Sequence, residues 1–261
     1  MGGGQWSTLL IVSHLALFAH LFLQGCNIGC EELRLVQQES GGPVTCDREP
    51  FVINGTQYLA AASCPGPFSL IQKWDGTSFS ETQRLNIGYA FAVRYFEIGS
   101  TPYLVFIRVQ DDTSPIYRWN GVEFVEFQYL ATGRGASALE DFVIDGVTYI
   151  AVTKTAHAVN VYTWNGTAFD DFQVFRTNYD PRAVAYFEVD GEKCLGIACH
   201  EGGGIQIHRW SGTSFGLWQE LDALFAVDLA AFHSSGVFYL AVAEHTENTR
   251  MCDMQRINLR Q

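Results

Sequence analysis

The sequence predicts an all-β fold: a β-propeller of four-stranded antiparallel blades. The pattern Trp-x-Gly-x-x-Phe recurs at Trp74 to Phe79, Trp119 to Phe124, Trp164 to Phe169 and Trp210 to Phe215, in steps of 45, 45 and 46 residues. So regular a step marks an internal repeat. An aromatic-led pair of strands about a tight turn occurs five times, at Phe51 to Ala62, Phe96 to Ile107, Phe142 to Thr153, Phe187 to Ala198 and Phe232 to Ala243. Beyond the N-terminal apolar run, no segment spaces its apolar residues helically over three turns. A four-stranded sheet of this length cannot bury both faces by itself, whereas several packed face to face around an axis can.

The first segment is set apart from the repeat. Residues 1–33 contain no Lys or Arg, and Leu9 to Leu23 form an apolar run of signal-peptide length, followed by Gly25 and Cys26. This predicts a signal peptide over 1–25, a propeller over 26–261 and a secreted, extracellular or cell-surface protein. Ala19 is an earlier candidate for the cut, and an uncleaved anchor would need about 20 apolar residues. No membrane insertion of the mature chain is expected. The charged residues all follow the apolar run, so the mature chain keeps the net charge of −12. Such a surface lacks the Lys and Arg clusters that neutralise phosphates, which argues against nucleic acid and anionic lipid as partners. A basic protein, a cation or a neutral glycan fits better.

Seven cysteines without a zinc-like spacing suit an oxidising compartment. Cys46 and Cys64 lie nearly symmetrically about the Asn54-Gly55 turn, so antiparallel strands bring them opposite each other. Cys30 or Cys26 with Cys252 could join the two ends of the chain.

Within the repeat, the unit from 124 to 164 reads as four strands: Phe124 to Tyr129, Ala138 to Ile144, Tyr149 to Val152 and Val159 to Trp164, with tight turns at Asp145-Gly146 and Asn165-Gly166. Strands such as Tyr239 to Ala243 are small and apolar on both faces, as an inner strand crowded between blades should be. The repeated Trp and Phe residues read as inter-blade packing rather than as ligand platforms, because a binding site rarely needs the same residue in every unit. Five inner strands imply five blades. Leu33 to Gln38 resembles an outer strand, with Gln37 matching Gln128. Met251 to Met254 and Ile257 to Arg260 fall where third and fourth strands of the last unit are due, so either end of the chain could complete that blade.

The combination of Phe124 to Gln128, Thr132 to Ala136, Phe142 to Val152 and Ile116 to Gly121 resembles the epilepsy-associated repeat, also called the EAR, EPTP or epitempin repeat. Such repeats occur in leucine-rich glioma-inactivated proteins and in the protein that joins a thrombospondin-type laminin G domain to EAR repeats. The resemblance covers nearly the whole mature chain. It implies a secreted or cell-surface propeller that binds other proteins, in cell adhesion or cell-cell signalling, and not an enzyme. The family norm is seven blades, so five imply a smaller ring, a shortened relative or a part that a partner closes.

Alternating strand direction puts the tight turns on one face of the propeller and the longer connections on the other. Asn54-Gly55-Thr56 and Asn165-Gly166-Thr167 are glycosylation sequons on the tight-turn face. The opposite face collects loops that differ from unit to unit, which is where specificity resides on a repeat scaffold. Its partner-binding candidates are Tyr89, Asp111, Asp112, Arg134, His157, His200, Glu201, Phe225 and His245. Asp47 and Asp228 occupy equivalent positions near the channel, with Glu140 close by, and carboxylates there could hold a calcium ion. No other cofactor is indicated. An enzyme would need carboxylates converging at hydrolase spacing, and no pair stands out among Arg94, Glu140, Ala185 and Ala230 or among Ala92, Ala138, Ala183 and Asp228. The expected partner is a protein ectodomain on the loop face; the alternative is a glycan-binding, lectin-like propeller.

Overall fold

Each aromatic-led segment becomes a hairpin because its sides alternate and its turn tolerates positive φ. In Asn54-Gly55, Asp145-Gly146 and Asp190-Gly191 both residues are left-handed, with φ between 49° and 81°, the conformation of a two-residue hairpin turn. The computed structural model describes residues 44–234 and 237–244. The first sheet runs in the order β1 (Thr45–Ile53), β2 (Thr56–Ser63), β3 (Ser69–Trp74) and β4 (Phe79–Leu85). The second holds β5 (Ala90–Ile98), β6 (Thr101–Arg108), β7 (Ser114–Trp119) and β8 (Phe124–Leu130), in the same antiparallel order. β9 (Ala136–Ile144), β10 (Val147–Lys154), β11 (Ala158–Trp164) and β12 (Phe169–Arg176) form the third. β13 (Pro181–Val189), β14 (Glu192–Cys199), β15 (Ile205–Trp210) and β16 (Phe215–Leu221) form the fourth, and β17 (Ala226–Ser234) pairs with β18 (Val237–Glu244) in the fifth.

The fold is therefore a β-propeller, and its sheets differ from the expected unit by one strand. Phe124–Leu130 does not begin the sheet that contains Ala136–Ile144; it hydrogen-bonds to β7 and closes the preceding blade. A Trp-x-Gly turn joins two strands of the same sheet, so the blade boundary falls in the longer connection after the Phe-led strand. Those turns have a common construction. The residue after Trp accepts backbone hydrogen bonds two and three residues ahead, as Asp75 does from Thr77 and Ser78 and Asn120 from Val122 and Glu123. The glycine that follows sits at φ 102° to 104°, beyond the reach of most side chains.

Packing between blades runs through aromatic rings. Phe51 stacks on Tyr58 and on Tyr95 of the next blade at 5.5 and 4.7 Å and meets Phe124 edge-on at 5.8 Å. Phe142 repeats the arrangement with Tyr149, Tyr186 and Phe215 at 5.4, 4.7 and 6.0 Å. Such contacts add about 1 kcal/mol each beyond the area they bury. Trp119, Trp164 and Trp210 meet Tyr58, Tyr103 and Tyr149 of the preceding blade, so these three tryptophans are packing groups. A glutamine near the middle of each of the first three outer strands clamps the next blade: Gln83 on Phe124, Gln128 on Phe169 and Gln173 on Phe215, each giving one hydrogen bond to the backbone and receiving one from it.

Successive first strands lie side by side, β1 against β5, β5 against β9, β9 against β13 and β13 against β17, and so line the axis. Among the described residues β17 makes no comparable contact with β1. Leu33 to Gln38, Met251 to Met254 and Ile257 to Arg260, the stretches expected to complete the fifth blade, lie outside the described residues. Cys46 and Cys64 form a disulfide across a Cα separation of 5.7 Å. Cys30 and Cys252 lie outside the described residues, while Cys194 and Cys199 are buried free thiols in β14.

Candidate functional site

The longer connections assemble the loop face by linking their backbones to one another. Tyr89 donates to the Gly66 carbonyl and accepts from Val109, Asp112 accepts from Gly133, and His157 accepts from Thr177. His200 donates to Asp180, and Gly202 to Leu224. Gly135 has no room for a side chain, since a Cβ there would lie 2.0 Å from Thr155 Oγ1. Tyr89, His157 and Glu201 hold φ of 55°, 53° and 56°, a conformation a bulky residue such as tyrosine adopts only when its surroundings impose it. The loops are thus tied into a continuous platform rather than left as separate flaps.

The structure places the candidates on this platform in neighbouring pairs. Asp111 meets Arg108 at 3.3 Å, Arg134 meets Asp112 at 3.7 Å, and His157 meets Asp180 at 3.6 Å. His200 lies 3.9 Å from Glu201, with its ring 5.3 Å from that of Phe225. The buried Nδ1 of His200 has no hydrogen-bond partner. Residues the sequence did not single out complete the apolar part of the face. Phe68, Phe91 and Leu224 are exposed, as are Tyr89 and Tyr179, and exposed aromatic groups on a rigid face are the kind of anchor that protein interfaces use. For Phe68 and Leu224 the position in variable loops was the available signal; Phe91 lies at the start of β5. His245 lies outside the described residues.

The axis carries a second constellation. Glu49, Arg94 and Glu140 occupy one register of three successive blades, opposite Ala60, Val105 and Ala151. Arg94 sits 3.7 Å from both carboxylates and 3.9 Å from Asp141. Burial pushes the Glu49 and Glu140 carboxyls up to about 7, with Arg94 pulling the other way. Asp141 and Asp228 are raised by burial as well. Sequence reasoning missed Glu49, although its spacing of one repeat from Arg94 was available, and so a matched carboxylate pair was overlooked.

These carboxylates serve the scaffold. Asp47 accepts from Val93 of the next blade at 3.0 Å and from Arg48 at 2.8 Å. Glu49 accepts from Tyr95 at 3.3 Å, and Glu140 from Tyr186 at 3.4 Å. Asp228 accepts from Leu229. No group of three or more His, Cys, Asp or Glu side chains among the described residues is placed to hold a metal ion. With both Asp47 oxygens engaged by backbone and a guanidinium at the centre of the cluster, the residues do not fit calcium.

On the tight-turn face, Asn54 and Asn165 are exposed. Asn165 Oδ1 caps its own turn through Thr167 and Ala168, and its Nδ2 donates to Asp170.

No protein-family model matches the chain, and no curated protein matches it. Solved structures do. BBS1N, crystallised in complex with ARL6DN, superposes with a TM-score of 0.53 at 13% identity over 77% of this chain and 62% of that one. A Bacteroides fragilis protein assigned as a 6-phosphogluconolactonase gives 0.51 at 15% identity over 66% and 52%. The chain thus spans less than two thirds of each neighbour, and likeness at this identity speaks to the propeller fold alone.

Proposed function

We propose that this protein is a secreted interaction module, related to the epilepsy-associated repeat proteins, that holds the ectodomain of another protein on its loop face. The observation that carries the reading is the loop platform itself: backbone-linked connections that differ from blade to blade and present exposed aromatic side chains beside ion pairs. Outside the channel, Tyr89, Asp111, Asp112, Arg134, His157, His200, Glu201 and Phe225 are the contact residues of this proposal, with sugars at Asn54 and Asn165 on the opposite face. A neighbour of the same fold is known in complex with a protein, ARL6DN, which supports use of the scaffold for binding. The channel carboxylates hold Arg94 and backbone amides, and this engagement favours a binding module over a hydrolase. The disulfide suits an oxidising compartment.

The test is capture of surface proteins from intact cells by the secreted chain, with crosslinking and identification of the captured ectodomain. Tyr89→Ala and Arg134→Glu should each weaken capture about tenfold or more, as loss of an interface anchor does, while Thr213→Ala on the tight-turn face should not. Capture should survive enzymatic deglycosylation of the cells. Loss of binding on deglycosylation, or competition by simple sugars, would replace this reading with the lectin one.

A further inference from the structure

In each complete blade the outer strand carries a bulge, the register slipping between Ile71 and Gln72, Ile116 and Tyr117, Val161 and Tyr162, and Ile207 and His208. The residue skipped opposite these slips is Thr82, Phe127, Phe172 and Trp218. A bulge re-aims its extra side chain, and three of the four are aromatic. Phe127 sits 5.4 Å from Tyr103 and 6.0 Å from Trp164 of the next blade. Phe172 lies 5.2 and 5.9 Å from Tyr149 and Trp210. Behind the rings of Phe127 and Phe172 the wall is the same, Tyr103 meeting Trp164 at 6.1 Å and Tyr149 meeting Trp210 at 6.0 Å, whereas in the fourth blade Cys194 takes the tyrosine's place.

The first blade keeps the wall and lacks the ring. Tyr58 meets Trp119 at 6.1 Å and 61°, close to the 60° and 66° of the filled sites. Thr82 instead turns its hydroxyl to the Ile71 carbonyl at 3.1 Å. What remains is a pocket of about 170 Å³ bounded by Tyr58, Ile71, Thr82 and Trp119, with Lys73 and Val122 at its mouth. The polar side chains of Gln83 and Glu123 complete its lining. Val122 is 83% exposed, so the mouth opens to solvent. A cation flanks two of the three rings, Arg118 at 5.4 Å from Phe127 and Arg209 at 5.4 Å from Trp218, while Thr163 takes that place beside Phe172. Lys73 stands at the matching place opposite Tyr58, ready for a ring on which a cation acts favourably.

We propose that this pocket between the first and second blades is a binding site for an aromatic side chain, phenylalanine or tryptophan, presented by a partner polypeptide. The occupants of the three equivalent places are Phe and Trp side chains carried on a backbone; the vacant place shares its Tyr–Trp wall with those of Phe127 and Phe172 and its cation position with those of Phe127 and Trp218. The site lies beside the tight turn of the second blade, away from the loop face, and does not depend on what that face binds.

N-acetyl-L-phenylalaninamide and N-acetyl-L-tryptophanamide serve as probes of a side chain on a backbone, with N-acetyl-L-alaninamide as the blank and toluene as a free ring. In heteronuclear NMR of the full chain, both aromatic amides should shift the signals of Tyr58, Trp119 and Val122, and the blank should not. Thr82→Phe, which supplies the missing ring, should weaken the aromatic amides about tenfold or more, whereas Thr82→Val should leave binding within about twofold of the parent. Thr82→Leu, a smaller filling, gives the same comparison should the phenylalanine variant fail to fold. Binding of toluene alone would overturn the polypeptide source. Shifts elsewhere, equal binding to the filled variants, or no shift with any ring would overturn the site.

Discussion

Replacing Gln128 by alanine removes both halves of a clamp between the second and third blades. Its Nε2 donates to the Phe169 carbonyl at 2.6 Å, and its Oε1 accepts from the Phe169 amide at 2.9 Å. Phe169 is only 3% exposed, so truncation strands a backbone donor and an acceptor where water reaches them poorly. A net hydrogen bond contributes about 1 kcal/mol, and an unsatisfied buried group costs about 1–3 kcal/mol, which places the loss at roughly 2–4 kcal/mol. With a urea slope of about 2–3 kcal/mol/M for a domain this size, the midpoint should fall by about 1 M at unchanged slope. The internal control is Gln219, at the same position of the fourth blade, whose buried Oε1 accepts no hydrogen bond. Gln219→Ala should cost less than about 1 kcal/mol. Equal losses at the two positions, or a loss below about 0.5 kcal/mol at Gln128, would refute the claim that the paired backbone contacts hold the blades together.

The channel makes stability depend on pH. Glu49 and Glu140 titrate near 7 in the fold against an ordinary 4.5, so their contribution is present below 4.5 and lost as pH rises towards 7. His208, held down at about 4 by burial against an ordinary 6.5, acts oppositely, its contribution falling away as pH drops from 6.5 to 4. Thermal unfolding should therefore show stability falling from about pH 4.5 to about pH 7, more shallowly below about 6.5 where His208 opposes it, and Glu140→Gln should flatten that slope; a slope unchanged in the variant would count against it. Reduction of the Cys46–Cys64 bond, which closes a loop with a sequence separation of 18, should cost about 3 kcal/mol on chain-entropy grounds, read as a lower urea midpoint with dithiothreitol than without; Cys46→Ser should remove the difference. Phe142→Ala removes a ring packed against Tyr149, Tyr186 and Phe215 and should destabilise by about 3–5 kcal/mol in equilibrium unfolding; a loss under about 1 kcal/mol would mean that the aromatic ladder is not what joins the blades.

Much of the fold was legible because a repeat prints its architecture at a fixed interval. The five hairpins, the tight turns and the Cys46–Cys64 pairing all follow from local spacing. Strand membership was less legible. The stretch from Phe124 to Leu130 alternates in the same way whichever sheet it joins, and its partner β7 is selected by the turn at Asn120-Gly121 rather than by its own pattern. Gln128 was noticed as part of a motif, yet its task is a contact with Phe169 in another blade, which no spacing within one unit reveals.

The candidate site divides along the same line. Loop variability pointed to Tyr89, Arg134 and His200, because variation is visible position by position. Glu49 escaped notice, and its pairing with Arg94 and Glu140 exists only where three first strands converge on the axis.

By itself the sequence determined the repeat, its all-β character and the turn chemistry, since these depend on residues near one another along the chain and on a period the backbone must obey. Tertiary structure alone decided which blade each outer strand closes, which glutamines find a partner, how burial raises the channel carboxylates, and that Thr82 leaves an opening where Phe127 and Phe172 leave none. Those properties depend on distances between side chains many residues apart, and only the packing of one blade on the next sets them.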